Sequence, residues 1–416
     1  MKKFLRIFVF SLLGLLLVLF AGIHIAYYRF SPDDKGITVD EANLVYFHES
    51  YEKCRQVFRD EAANLAGQFE QSELRSIRVP SKIDNDLTID MLYLPSPQNS
   101  DKLLVLSSGV HGSEAFTGSA VQQMFMKELI TPDLLSDMGV LIIHGLNPYG
   151  FKYHRRVTEN NVDLNRGSEI DDDLFETKNP SYAKLNSVIN PKGNVSTSNL
   201  KSRLYLVRSI SSTIRASMSV TRQAIVGGQY EYPEGLFFGG FEFEPQIDSL
   251  SRILPEYFSS YKNILEIDLH TAFGSRNVLH LFPNTIDDPE IKKKTEAVFE
   301  GQSINWGDTD DFYTVSGSFA DAFLSKLCSE AQYLYMVFEW GTFDAEKTFG
   351  SIKSLQILVN ENQGFHYGYK NDSQKQKVVK SVGELYYPSS EAWRSNAIET
   401  GREMLSLALK TYPGID

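Results

Sequence analysis

The chain has 416 residues, 42% hydrophobic and 23% charged, with a formal net charge of −12. That composition is globular and excludes a disordered or collagen-like chain. The acidic balance argues against nucleic acid as a partner, because phosphates need clustered Lys and Arg.

The N-terminus departs from this average. Lys2, Lys3 and Arg6 precede an uncharged stretch of 22 residues, Ile7 to Tyr28. At about 1.5 Å per residue such a helix crosses a hydrocarbon core of about 30 Å. Without residues 1–30 the chain keeps 37 basic against 53 acidic residues, a net charge of −16. Basic residues ahead of the span favour an N-in orientation, so the bulk is expected outside the cytoplasm, periplasmic or extracellular. A cleaved signal peptide is the rival, and it wants small residues at −3 and −1. Ala21, Gly22 and Ala26 can serve as −1, but Leu19, Phe20 and His24 then stand at −3. Residues 1–30 are therefore read as an uncleaved transmembrane anchor, 31–48 as a polar linker, and 49–416 as the main domain.

Within that domain, Tyr51, Cys54, Val57, Phe58, Ala62 and Leu65 recur at helical spacing. Strand-like runs follow at Leu74–Val79, Leu87–Leu94, Leu103–Leu106 and Val140–Ile143, with a helix after Thr117. Further apolar runs are Ile264–Leu269, Val278–Phe282 and Tyr333–Phe338. Short apolar runs alternating with helices predict an α/β fold with a mixed, mostly buried central sheet flanked by helices. Two insertions around 168–260 stand out: a polar stretch at 168–200, and a helical stretch followed by a Gly- and aromatic-rich loop, Gly227 to Phe243. Cys54 and Cys328 are too few for a Cys-rich zinc site; they can pair in an oxidising compartment, and two buried thiols are the default.

Of eight histidines, His24 lies in the apolar span, His48, His154 and His366 read as incidental, and His144 and His280 as core residues. Two have a different context. His111 stands in Ser-Ser-Gly-Val-His-Gly-Ser-Glu, residues 107–114, just past a buried strand, where Gly109 and Gly112 permit a tight turn. His111 and Glu114 on one turn can face one cation, although His-x-x-Glu alone is a weak signal. His270 ends a buried strand in Glu-Ile-Asp-Leu-His-Thr, residues 266–271. It can complete a His, Glu, His set that leaves the fourth zinc position open. Asp268, two residues earlier, shares its face and is either support for the imidazole or a buried Asp with no metal role. Glu339 closes another apolar strand, as a general base or as a strand-end Glu reaching solvent. Between them, Arg155 to Arg166 reads as a solvated turn or as a binding segment. In the second case Asn165 and Arg166 hold a carboxylate, Arg156 steadies an oxyanion, and Asp163 orients a histidine.

In this order, His-Gly-Ser-Glu, Asn-Val-Asp-Leu-Asn-Arg, Asp-Leu-His-Thr and a strand ending in Glu339 resemble the zinc carboxypeptidase superfamily. Its members include the metallocarboxypeptidases and the succinylglutamate desuccinylase/aspartoacylase branch. The context of His111 and the loop at 227–240 look most like a little-characterised bacterial subgroup, and the resemblance covers roughly residues 50–410. It implies one Zn2+ held by His111, Glu114 and His270, with Glu339 as general base. It implies Asn165 and Arg166 as carboxylate ligands and Arg156 as the oxyanion arginine, with Arg155 a competitor. Gly167 and Ser168 stand where typical peptidases have Asn and an aromatic residue. No motif marks the pocket tyrosine; Tyr230 and Tyr232 are candidates. The implied activity is hydrolysis of an amide next to a free carboxylate, on a peptide or small molecule. The alternative is a non-catalytic, membrane-anchored binding protein on the same fold. A serine hydrolase is disfavoured, because no Gly-x-Ser-x-Gly occurs.

Overall fold

In a computed structural model, residues 2–216, 221, 223–225, 227–283, 288–306 and 316–415 are described. The expected strand runs all form strands: β1 (Glu73–Arg78), β2 (Thr88–Leu94), β3 (Lys102–Ser108), β4 (Gly139–His144), β5 (Asn263–Ala272), β6 (Leu279–Phe282) and β7 (Gln332–Gly341). They build one seven-stranded mixed sheet in the order β1-β2-β4-β3-β5-β7-β6. Strands β4, β3, β5 and β7 run parallel, and β1, β2 and β6 are antiparallel to their neighbours.

Period-two alternation sorts the side chains of the parallel strands onto two buried faces. Leu104, Leu106, Leu265, Ile267, Leu269, Leu334, Met336 and Phe338 pack on one face. Helices α3 (Ala115–Glu128) and α8 (Glu391–Thr411) cover it through Val121, Phe125, Trp393 and Ile398. Leu103, Val105, Leu141, Ile143 and Ile264 point to the other face, covered by α5 (Pro245–Phe258) through Ile247, Leu250 and Leu254. On β5 that second face continues past Ile264 as Glu266, Asp268 and His270, three polar residues in an apolar sheet. The chain steps from β3 to β4 on one side and later adds β5 on the other. The carboxyl ends of β3 and β5 thus flank a switch point, where ligands gather in open α/β sheets.

Other helices include α1 (Lys2–Arg29), α2 (Tyr51–Ala66), α6 (Thr348–Tyr367) and α7 (Asp372–Tyr386). The stretch 168–200, read as polar, contains the helix Pro180–Ile189, which buries Tyr182, Leu185 and Ile189. Part of the helical stretch expected in 200–260 lies outside the described residues. Cys54 and Cys328 are both free and buried.

Residues 31–48, read as a polar linker, make contacts with the domain. Tyr46 is in the core and donates to Glu128. Asp34 takes two hydrogen bonds from Arg276, at 2.5 and 2.9 Å, and others from Asn277 and Ser390. Partial burial pushes the Asp34 carboxyl up, but these donors prevail and hold it down at about 2. Its stabilisation is therefore complete above the ordinary aspartate value of 3.8 and is lost as pH falls through about 2. Asp34→Asn is expected to cost about 1 kcal/mol at neutral pH after solvent screening. In urea unfolding the gap from wild type should shrink as pH drops below 4.

Candidate metal centre

The site begins with the turn after β3. Gly109 takes φ +82°, and a Cβ there would approach Ala115 Cβ to 2.8 Å. Gly112 has a different requirement: a Cβ would stand 2.1 Å from the Gly150 carbonyl carbon. This close approach lets Gly112 N–H donate to Arg156 O at 3.0 Å and Ser113 N–H to Arg155 O at 2.9 Å. The His-Gly-Ser-Glu turn and the Arg155–Arg156 segment are thus clasped backbone to backbone.

His111, Glu114 and His270 are buried together, the two histidines 159 positions apart in the chain. Glu114 Oε1 lies 2.9 Å from His111 Nδ1, and Oε2 lies 3.0 Å from His270 Nδ1. The two Nδ1 atoms are 3.2 Å apart. A tetrahedral cation with bonds of about 2.0 Å spaces its ligands about 3.3 Å apart, close to these values. The outer nitrogens are backed by carboxylates. His270 Nε2 is 2.6 Å from Asp268 Oδ2, and Ser107 Oγ donates to Asp268 Oδ1 at 2.9 Å. His111 Nε2 is 3.3 Å from Asp163 Oδ1, though off the hydrogen-bonding line. A carboxylate on Nε2 leaves the Nδ1 lone pair turned inward, the tautomer a metal ligand needs.

The charges agree with the distances. Glu114, Asp163 and Asp268 surround the imidazoles with three carboxylates, and Arg156 returns one positive charge. Burial alone pushes the Glu114 carboxyl up, but His111 and His270 pull it well below the ordinary range. Asp163 is likewise held far down, against burial, by Arg156 and then His111. Burial pulls His270 down, but Asp268 and Glu114 outweigh it and raise the imidazole well above its usual value.

Glu339 lies near the end of β7, opposite His270 in the strand register and on the same face. Its Oε1 accepts from Phe273 N–H at 2.8 Å. Burial, reinforced by the Glu114 carboxylate, pushes it up to about 8. A cation beside it acts in the opposite sense and favours the carboxylate.

The two neighbouring arginines diverge. Arg156 Nε donates to Asp163 Oδ2 at 3.0 Å, and its Nη1 lies 3.5 Å from Glu114 Oε1, at the edge of the donor set. Arg155 turns away to Glu361 (2.6 Å) and Asn161 (3.0 Å), with its guanidinium 3.5 Å from the Phe365 ring centroid. Arg155→Ala should leave metal content unchanged. It should destabilise the fold by about 3–5 kcal/mol in denaturant unfolding, since Glu361 loses the partner of a buried pair.

Asn165 and Arg166 follow Asp163 in the same turn. Asp163 Oδ1 accepts from Asn165 N–H at 3.0 Å, Asn165 Oδ1 from Phe319 N–H at 3.0 Å, and Asn165 O from Arg166 Nη1 at 2.6 Å. Arg166 is buried against Gly228, and burial pulls its pKa down. Tyr230 donates to Arg166 O at 2.7 Å, and Tyr232 packs on Tyr182 with centroids 5.5 Å apart. Tyr230 therefore serves the wall of the site, and Tyr232 the core of the insertion.

Tyr386 is the residue sequence reasoning missed. It ends α7, is buried beside Arg156 and Glu114, and its hydroxyl makes no hydrogen bond of standard geometry among the described residues. Its carbonyl accepts from Thr271 Oγ1 at 2.7 Å, tying α7 to the residue after His270. Nothing in its local sequence, at a helix end before Tyr387 and Pro388, marks it. His144 is a core residue as expected, stacked on Phe58 at 4.5 Å, with burial pulling its pKa down to about 4.

Residues 47–400 match a family model described as "Protein of unknown function (DUF2817)". No curated protein matches the chain. The chain is also similar to several solved structures. Carboxypeptidase A from Helicoverpa armigera is 14% identical, with 82% of this chain and 74% of that chain covered and a TM-score of 0.40. Bovine thrombin-activatable fibrinolysis inhibitor, in complex with tick carboxypeptidase inhibitor, is 13% identical, with 81% and 99% covered and a TM-score of 0.41. A succinylglutamate desuccinylase/aspartoacylase from Rhodobacter sphaeroides is 14% identical, with 72% and 67% covered and a TM-score of 0.35.

Proposed function

The chain belongs to the DUF2817 family, and from that premise we propose that it is a zinc-dependent hydrolase. It cleaves an amide bond next to a free carboxylate, as a carboxypeptidase or an N-acyl-amino-acid deacylase does. The main support is the convergence of two Nδ1 atoms and the Glu114 carboxylate, each imidazole backed by a carboxylate, with Glu339 across the strand register. His111, Glu114 and His270 would hold one zinc ion, which supplies Lewis acidity to an amide carbonyl and to water.

The remaining steps fall to the side chains. Glu339 accepts the proton of the attacking water as its oxygen bonds to the amide carbon. Negative charge then grows on the carbonyl oxygen, and the Arg156 guanidinium, held by Asp163, stabilises it. Glu339 returns the proton to the amide nitrogen as the C–N bond breaks, leaving a carboxylic acid and an amine. Asn165 and Arg166 take the free carboxylate of the substrate.

A hydrolysis screen of N-acyl amino acids and short peptides, zinc-loaded against chelated, tests this reading. The expected result is chelator-sensitive turnover confined to substrates with a free carboxylate. Equal turnover of carboxylate-blocked analogues, or activity indifferent to chelation, would overturn it.

The membrane reading belongs to the same proposal. Helix α1 leaves Phe4, Phe10, Leu17 and Val18 between 67 and 78% exposed, an apolar surface suited to lipid. It anchors the chain, with the domain outside the cytoplasm. Mass spectrometry of the mature protein should find residues 1–30 intact; a product beginning near residue 23 or 27 would show cleavage instead.

A further inference from the structure

Residues 177–230 carry eight basic residues and no acidic one, in a chain whose net charge is −12. This basic segment is the insertion that touches the end of α1. Arg203 O lies 2.8 Å from His24 Nε2 and accepts from Tyr28 hydroxyl at 2.7 Å; Ser202 O accepts from the same hydroxyl at 3.0 Å. Gln356 joins both partners, accepting from Tyr27 hydroxyl at 2.7 Å and donating to Ser202 O at 3.2 Å. His24 lies one helical turn before Tyr28, the last residue of the apolar span. A carbonyl that contacts both is within about 6 Å of the span's end, at the depth of lipid headgroups.

From that contact the chain enters α4 (Tyr205–Ala216). One face of α4 buries Tyr205 in a cluster with Tyr182, Leu185 and Ile189. Val207, Ile210 and Ile214, at spacing i, i+3, i+7, form another face. On it Ile210 is 40% and Ile214 77% exposed, and Leu200, just before Arg203, is 71% exposed. Exposed apolar residues flanked by Arg203 and Arg208, without acidic neighbours in sequence, are the composition of a helix that rests in a membrane interface.

We propose that Leu200, Ile210 and Ile214, with Arg203 and Arg208, form a patch that docks on an anionic phospholipid surface beside the anchor. This rests on the membrane reading of α1. Charge complementarity selects the occupant, because anionic headgroups attract basic residues next to a span while the rest of this acidic chain is repelled. Continuity with α1 sets the depth. The same insertion runs on to Gly228, where a Cβ would come within 2.7 Å of Arg166 Cδ, so the docked element also walls the candidate carboxylate-binding arginine.

The test uses the full chain in vesicles of phosphatidylcholine with phosphatidylglycerol, and in pure phosphatidylcholine. Nitroxide labels are placed one at a time by Ile214→Cys, Leu15→Cys and Leu74→Cys; the native thiols are buried, and the unsubstituted chain measures background. Accessibility to oxygen against a water-soluble nickel chelate reports lipid or water. The labels at 15 and 214 should be lipid-like and the label at 74 water-like. Arg203→Glu with Arg208→Glu should shift the docked fraction at 214 by at least about tenfold, at about fivefold per basic charge, and leave 15 unchanged. A water-like 214 beside a lipid-like 15 overturns the patch and leaves the anchor standing. Water-like labels at both positions overturn the anchor, and the patch with it. Protection of 214 from both probes indicates a protein partner, and indifference to charge reversal removes the anionic surface; either result overturns the proposal.

Discussion

Replacing both His111 and His270 by alanine is expected to remove the bound metal altogether, from one zinc per chain to background in metal analysis of the purified protein. The two substitutions delete both Nδ1 donors and leave Glu114 alone, and one carboxylate does not retain zinc against a chelator. Metal that binds only the folded chain stabilises it by mass action, so the double variant should also lose the chelator-sensitive part of its thermal stability. Asp268→Asn is the graded form of the same experiment. It keeps the ligands and weakens the acceptor that orients His270 Nε2 at 2.6 Å, which should cost about 10–100-fold in metal affinity. Zinc content unchanged in the double variant would sink the ligand assignment.

Glu339→Gln should keep the metal and lose about 10²–10⁴-fold in turnover. The amide has the same size, and its oxygen can still accept from Phe273 N–H, the one hydrogen bond Glu339 makes among the described residues. What it cannot do is take a proton. The prediction therefore separates a base from a structural carboxylate: a strand-end acid with no chemistry would change stability and spare the rate. A variant with bound zinc and wild-type turnover would require another base.

The strands and the chemistry-bearing motifs were legible because both are local. A run such as Leu103–Leu106 is buried on both faces wherever it sits, and a Gly-bounded turn after it places His111 at the strand end. Parity also put Asp268 on the face of His270, since residues at alternate positions of a strand share a face. The packing of 31–48 was illegible for the opposite reason. Its polar residues find their partners in Arg276, Ser390 and Glu128, far along the chain. The helix Pro180–Ile189 was missed because it buries only Tyr182, Leu185 and Ile189, too short a pattern to register a period.

By itself, then, the sequence determined the strands, the longer helices of the sheet scaffold, the apolar faces and the identity of the residues able to hold a cation, since these depend on side-chain chemistry and on periods of two and 3.6 residues. Tertiary structure alone decided who meets whom. The order β3-β5-β7 brings His111, His270 and Glu339 to one end of the sheet. The clasp between Gly112 and Arg156 O, together with the Asp163 carboxylate, turns Arg156 inward, while Glu361 and Phe365 draw Arg155 outward. The end of α7 adds Tyr386. Two adjacent arginines are equivalent in a string of residues. They become different only when packing offers one a carboxylate at the site and the other a carboxylate elsewhere, because a buried charge goes where its partner is.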